Sequence, residues 1–482
     1  MKSIREITAK RPWLNWLLFF LTIIIVFFIG LFASSIIERR SESKLYFQKV
    51  KPIDEFESDN EKWKENYPRE FESYMSTIDT LFKSKYGGAA MRDYLKEHPE
   101  LVVLWAGYAF SQEYNQGRGH YYAIKDITSI LRTVQSQPST CWTCKSTDVP
   151  RMMNKIGAKE FYGKKWIEMG TEITNPIGCL DCHDPETMNL RISRPALIEA
   201  FEAMGKDIKQ ATHQEMRSLV CAQCHVEYYF KGEGKYLTFP WANGLSADSM
   251  EIYYEKEGFT DWTHSLSKTK MIKAQHPDYE MWSTGIHSKR NVACADCHMP
   301  YKREGAVKYT DHKIQSPLNN ISNSCAVCHR ESEETLKNNV YEIQDNVFQV
   351  LKMAQLNLAA AHIEAKMAWD NNVIEEKMKD IQTLLKQSQF RWDWVAAANS
   401  MGFHAPVEAL RVLATSLEKS YNARLTLHKI LSELNVKSPY VLPDYSTKEK
   451  AQKLIGLEIN KIIQQKEDFK KNVLPKWVKA DN

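Results

Sequence analysis

The chain has 482 residues, 43% of them hydrophobic and 26% charged, with a formal net charge of +4. That length allows one large domain or roughly two to three smaller ones. The charge is too mild for a nucleic-acid binder, no Lys/Arg block is long enough to change that, and there is no Rossmann or P-loop motif.

In chain order, the first element is apolar. Pro12 to Ile37 contains no charged residue and includes WLLFFLTIIIVFFIGLF, and about 20 such residues cross a bilayer as a helix. Lys2, Arg5, Lys10 and Arg11 precede it, so the positive-inside rule leaves the amino terminus in the cytoplasm and exports the rest. A secretory signal has a shorter apolar core, of about 7–15 residues. Two outcomes stay open: an anchor in the inner membrane through residues 12–37, or a soluble periplasmic protein released by cleavage near FASS. The anchor is the expectation, and residues 1–40 form this segment.

Residues 41–330 form the second region. It starts charged and helical in pattern up to residue 100, then breaks into short helices at Gly, Pro and Asn. All ten cysteines lie here, in five CxxC pairs: Cys141/Cys144, Cys179/Cys182, Cys221/Cys224, Cys294/Cys297 and Cys325/Cys328. Four pairs are followed at once by histidine: His183, His225, His298 and His329. Disulfides suit an exported protein but do not require that histidine. Zinc sites pair CxxC units with distant ligands, and thioredoxin-like motifs rarely recur within one chain. Covalent c-type haem explains the whole pattern: two thiols hold the porphyrin and the adjacent imidazole ligates iron.

The fifth motif, CWTCK, ends in Lys145. A lysine amine must lose a proton to bind iron, and metal binding together with burial can drive that loss. One unusual haem among four ordinary ones suggests a catalytic centre fed by a wire, against the blander reading of a haem whose histidine drifted to lysine. A relay haem needs a second axial ligand, whereas a catalytic one keeps that position open. Fourteen histidines less the four in motifs leave ten candidates, and periodicity does not choose among them.

Residues 331–482 contain no cysteine and read as long helices over 332–436, forming one globular unit with the haem region. Val340, Ile343, Val347 and Leu351 recur at helical spacing, as do Leu410, Leu413 and Leu417. Pro406 suits a first helical turn, which leaves His404 in the loop before it. The charged tail beyond Pro439 is expected to be an additional surface helix. The fold class is therefore mainly α with little β: short helices around five covalent haems, and long carboxy-terminal helices.

These motifs resemble the pentahaem, ammonia-forming cytochrome c nitrite reductases. The resemblance runs from about residue 60 to 430 and is carried by CWTCKS, WAGYAFSQEYNQGRGHYYAIKDITSILRT, CAQCHVEYYF, DWTHSLSKTKMIKAQHPDYEMWSTGIHSKRNVACADCHMP and SMGFHAP. It implies Lys145 as proximal ligand of the catalytic haem. The distal ligands it implies are His120 for the third haem in chain order, His312 for the second, His287 for the fifth and His404 for the fourth. Arg132, Tyr228 and His276 would line the substrate pocket, with Arg132 supplying charge, Tyr228 a hydrogen bond and His276 protons. Glu227, Tyr228, Lys273 and Gln275 would hold one calcium ion, Tyr228 and Lys273 through their carbonyls. The implied reaction is six-electron reduction of nitrite to ammonia, with a homodimer and a membrane quinol dehydrogenase or another cytochrome as donor. The alternatives are a multihaem electron carrier, or a hydroxylamine- or sulfite-reducing relative. One departure is the link from Arg132 to Cys141, shorter than in many members.

Overall fold

The computed structural model describes residues 11–45, 50–133, 137–305, 307–436 and 440–478. Lys2, Arg5, Lys10 and Pro439 lie outside the described residues.

Trp13–Leu45 is a single helix of 33 residues. An 18-residue window within Trp13–Glu38 reaches a mean hydropathy of 2.8, and none of that window is buried against the remainder of the chain. Phe19, Phe27, Phe28 and Phe32 all stand exposed. A helix that is apolar all round needs a nonpolar surrounding, and this one is long and apolar enough to cross a membrane.

From Asn60 to Ser324 the helices are short, the longest being Ala247–Glu257 at 11 residues. Three antiparallel hairpins interrupt them: β1 (Tyr229–Lys231) with β2 (Tyr236–Thr238), β3 (Trp262–Thr263) with β4 (Lys270–Met271), and β5 (Tyr301–Glu304) with β6 (Val307–Thr310). β1 starts directly after Tyr228, and β4 ends just before Lys273. The first two hairpins therefore deliver both of the pocket-lining segments expected from CAQCHVEYYF and KAQH.

Three long helices follow, Glu333–Asp370, Glu375–Ala397 and Pro406–Glu433. Ser332 caps the first by accepting from Thr335 N, and Pro406 opens the third at its first turn, as read from the sequence. Small polar residues let them pack closely. Ser388 Oγ donates to the Ser416 carbonyl at 2.6 Å, Ser416 Oγ returns the bond to Ser388 at 2.7 Å, and Asn357 bonds Ser420 at 2.8 Å. Gln389 reaches out of this bundle to the Leu104 carbonyl at 2.7 Å, and Trp369 reaches the Ser267 carbonyl at 2.8 Å. The loop between the last two helices runs close against Gly285, where any side chain would collide with the His404 carbonyl. Glycine there lets the His404 loop sit against the helix that carries His287.

The tail departs from the expectation of a surface helix. Lys448–Leu454 packs on the Glu100–Leu104 helix, with Gln452 donating to the Ser111 and Gln112 carbonyls at 3.1 Å, while Ile459–Asn472 and Leu474–Val478 fold back over the CWTCK region. Trp142 of that motif stacks on Trp166 with centroids 4.8 Å apart, and Trp477 packs edge-on against both. Gly170 makes room for the Trp477 ring. Lys466, fully buried, donates to the Thr133 carbonyl at 2.7 Å. Sequence pattern missed this because the tail is polar on average, and only a few side chains fix it in place.

Candidate active site and haem centres

Each CxxC lies on a helical or 3-10 turn, which sets the two cysteines on one side, three residues apart, with the next residue turning off the end. Thr212 and Glu215 form a capping box that starts the helix leading to Cys221. Among the described residues all ten thiols are free. They line one continuous cavity of about 1730 Å³, together with Lys145 and all eight histidines assigned to haem. The Cys144 and Cys224 thiols lie close enough to influence one another's ionisation, as do Cys221 and Cys294. The first motif thus adjoins the third, and the third adjoins the fourth.

The histidines meet in four pairs across this cavity: His183 with His312 at 6.0 Å between ring centroids, His120 with His225 at 6.4 Å, His298 with His404 at 6.3 Å, and His287 with His329 at 6.4 Å. A metal–imidazole bond of about 2 Å on each side, plus about 1.1 Å from nitrogen to ring centre, puts two coaxial ligands about 6.2 Å apart. The protein alone therefore holds each pair at the separation an iron between them needs. The pairing is the one the resemblance implied, including that of His312. Nδ1 of His183, His298 and His312 faces the carbonyl of Met188, Gln315 and Thr310 at 2.9, 2.8 and 2.8 Å, which leaves Nε2 free for metal. Burial, followed by the facing imidazole, pushes His120 and His312 down to about 4. Burial does the same to His404. These rings are neutral, the form that ligates.

Lys145 breaks the pattern. Among the described residues no imidazole pairs with it, and its amine makes no hydrogen bond or ion pair. Arg132, Tyr228 and His276 line the same cavity. The Arg132 guanidinium lies 3.8 Å above the Phe110 ring, and Tyr228 stacks on Phe230 with centroids 5.8 Å apart. Burial pushes His276 down to about 3, and the nearby Lys145 ammonium adds to the effect. Its Nδ1 is buried with no partner in the protein, and such a nitrogen is costly to leave alone.

The segments after Cys224 and after β4 are tied together by the residues expected at the calcium site. Glu227, fully buried, accepts from Gln275 N at 2.6 Å and from the Tyr254 hydroxyl at 2.7 Å. Gln275 Nε2 donates to the Lys273 carbonyl at 3.1 Å. One carboxylate, one amide and two backbone carbonyls make an all-oxygen set suited to a hard cation. The surroundings also favour positive charge. Burial drives Glu227 well above the usual carboxylate range, Glu280 up to about 8 and Asp261 up to about 7. Glu280 Oε2 is buried and unpartnered. These residues fit a calcium ion, with the Gln275 amide turned so that its oxygen faces the ion.

Sequence reasoning did not find the supports behind this loop. Asp393 accepts from Lys273 Nζ at 2.8 Å and from Ala274 N at 3.2 Å, and Asp261 accepts from Lys273 N at 2.8 Å. Lys273 Nζ also lies 5.1 Å from the Phe110 ring centre, so the Arg132 and Lys273 side chains share that ring as a neighbour. Asp393 lies 120 residues from Lys273, and no short-range pattern marks such a pair.

Five thiol pairs on one cavity, with histidines facing one another at ligand distance, define a multihaem c-type cytochrome. The family described as cytochrome c552 matches residues 59–482, and the chain belongs to it. It is 53% identical over 477 residues to cytochrome c-552 of Parabacteroides distasonis, covering 97% of each chain. It is 46% identical over 476 residues to cytochrome c-552 of Aliarcobacter butzleri, covering 95% of this chain and 94% of that one. Among solved structures it superimposes on the cytochrome c nitrite reductase of Desulfovibrio desulfuricans, a catalytic subunit with two calcium sites. The TM-score there is 0.77 at 31% identity, over 89% of this chain and 96% of that one.

Proposed function

We propose that the chain reduces nitrite to ammonia at the centre carrying Lys145, while the four histidine-pair centres pass electrons to it. The observation that carries this is the asymmetry of the cavity. Four CxxC units have facing imidazoles, and the fifth has instead a lysine near an arginine, a tyrosine and a histidine with an unused nitrogen.

Cys141, Cys144 and Lys145 would hold the catalytic haem, which would supply a Lewis-acidic, electron-donating iron. Arg132 offers a permanent charge and a planar fork to the nitrite oxygens, and its stacking on Phe110 fixes the plane of that fork. Tyr228, kept protonated by burial, donates a hydrogen bond. His276 lines the pocket as a neutral imidazole whose Nδ1 has no partner in the protein. An anion bound beside it favours its protonation, so substrate entry itself loads the proton donor. Calcium at Glu227, Tyr228, Lys273 and Gln275 would lock Tyr228 and His276 to one another.

The anchor, the homodimer through the long helices, the quinol dehydrogenase or cytochrome donor, the periplasmic location and the division at residues 40 and 330 belong to the same proposal. The apolar Trp13–Glu38 helix supports the anchor. The test is nitrite reduction by purified holoprotein with a viologen donor and ammonium quantified. Lys145→His is expected to retain haem at Cys141 and Cys144 while losing most ammonium formation. Unchanged turnover in that variant, or six-coordinate iron at every centre of the parent, refutes the reading.

A further inference from the structure

Asp278 opens the helix Asp278–Thr284, two residues after His276. Its buried carboxylate gathers three donors: Asn399 N at 2.7 Å on Oδ1, and Asn399 Nδ2 at 2.8 Å and His225 Nδ1 at 3.4 Å on Oδ2. Three donors converge on this one carboxylate, the arrangement that favours its charged form.

The contrast with the other ligand histidines is chemical. His183, His298 and His312 present Nδ1 to backbone carbonyls, which are dipoles. His225 presents Nδ1 to a full negative charge. With Nε2 on iron, Nδ1 keeps its proton and donates it to Asp278, which makes the imidazole a stronger electron donor. Ferric iron carries one more positive charge than ferrous, so an anion at this position stabilises the oxidised form and disfavours uptake of the electron. The motif concerned is the one whose Cys224 lies beside Cys144 of CWTCK.

We infer that Asp278 is a positioning residue that lowers the reduction potential of the iron held by His120 and His225, making the centre next to Lys145 a donor of electrons rather than a store. Asn399, which precedes His404 by five residues, holds Oδ1 through its backbone N–H, while its side-chain amide shares Oδ2 with His225. The inference rests on the ligand pairs proposed above and not on nitrite being the substrate.

The test is a redox titration of the holoprotein followed by EPR and visible absorption, which separates the ferric signals of the four histidine-pair centres. In Asp278→Asn the His120–His225 signal is expected to titrate at higher potential, by about tenfold in its ferric–ferrous equilibrium, or about 59 mV for one electron, with the other signals unmoved. Asp278→Glu keeps the charge and is expected to restore the parental value. Asn399→Ala removes the donor that competes for Oδ2 and is expected to move the same signal downward. An unmoved signal in Asp278→Asn, or all signals moving together, overturns the inference. If that variant does not retain its haems, Asn399→Ala decides, and the absence of a downward shift overturns it. Fewer than four histidine-pair signals in the parent would instead refute the ligand assignment beneath it.

Discussion

Asp393→Ala removes one half of an ion pair whose side chains are only 2% (Lys273) and 1% (Asp393) exposed. Breaking such a pair from one side strands a buried charge and costs about 3–5 kcal/mol. The Ala274 N–H loses its acceptor at the same time, at a further cost of about 1 kcal/mol. Set against the 5–15 kcal/mol that typically separates folded from unfolded protein, a loss of about 4–6 kcal/mol is severe. The damage also reaches the chemistry, because Ala274 and Gln275 lead directly into His276. A displacement of about 1 Å there lowers kcat about 10²-fold, with KM changed less. Burial raises Asp393 to about 6 against the pull of Lys273, so desolvation outweighs attraction within the pair. Removing both charges in Lys273→Met/Asp393→Leu is therefore expected to recover most of the stability, while the Lys273 carbonyl stays available to calcium. Guanidinium unfolding, read by tryptophan fluorescence beside steady-state nitrite turnover, measures both effects. A single variant within 1 kcal/mol of the parent, or a double variant as unstable as the single one, refutes the reasoning.

Calcium removal is expected to reverse the pH dependence of stability. Glu280 at about 8 and Asp261 at about 7 stand above their unfolded values, so the folded apo-protein binds more protons than the unfolded chain between about pH 4 and 8. Its stability then falls as pH rises through that window, by up to about 1.4 kcal/mol per unit for each group. Tm measured against pH in chelator and in excess calcium tests this, and identical profiles contradict it. Trp477→Ala is expected to cost about 3–5 kcal/mol by opening a cavity against Trp142 and Trp166, and to perturb the Lys145 centre more than the histidine-pair centres; equal perturbation of every haem spectrum would argue against a local role. Deleting residues 1–37 behind a cleavable signal is expected to preserve viologen-driven nitrite reduction while lowering quinol-driven turnover in membranes, and undiminished quinol activity would show that the helix has no part in electron delivery.

What was legible in the sequence follows the range of the interactions. A CxxCH unit declares its chemistry within five residues, so haem, and the oddity of Lys145, could be read directly. Pro406 and the recurrence of Leu410, Leu413 and Leu417 gave a long helix with His404 before it, because capping and periodicity are local. The facing histidines are far apart in the chain, His312 lying 129 residues after His183, and only family resemblance could pair them. Arg132, Tyr228 and His276 came from the same source, since nothing in their immediate sequence separates them from ordinary surface or core residues. Asp278, Asp393, Glu280 and Lys466 were invisible: each matters through one partner on another element, and a buried acid leaves no periodic trace. The tail misled for a related reason, because its average polarity concealed Lys466, Phe469 and Trp477.

The packing of Trp477 on Trp142 also sets an order of events. Ile459–Asn472 and Leu474–Val478 follow every CxxC unit in the chain, so they leave the ribosome after them. Until they arrive, Trp142 and Trp166 lack their edge-on partner, so the packing around the CWTCK turn is completed by the last part of the chain to be made.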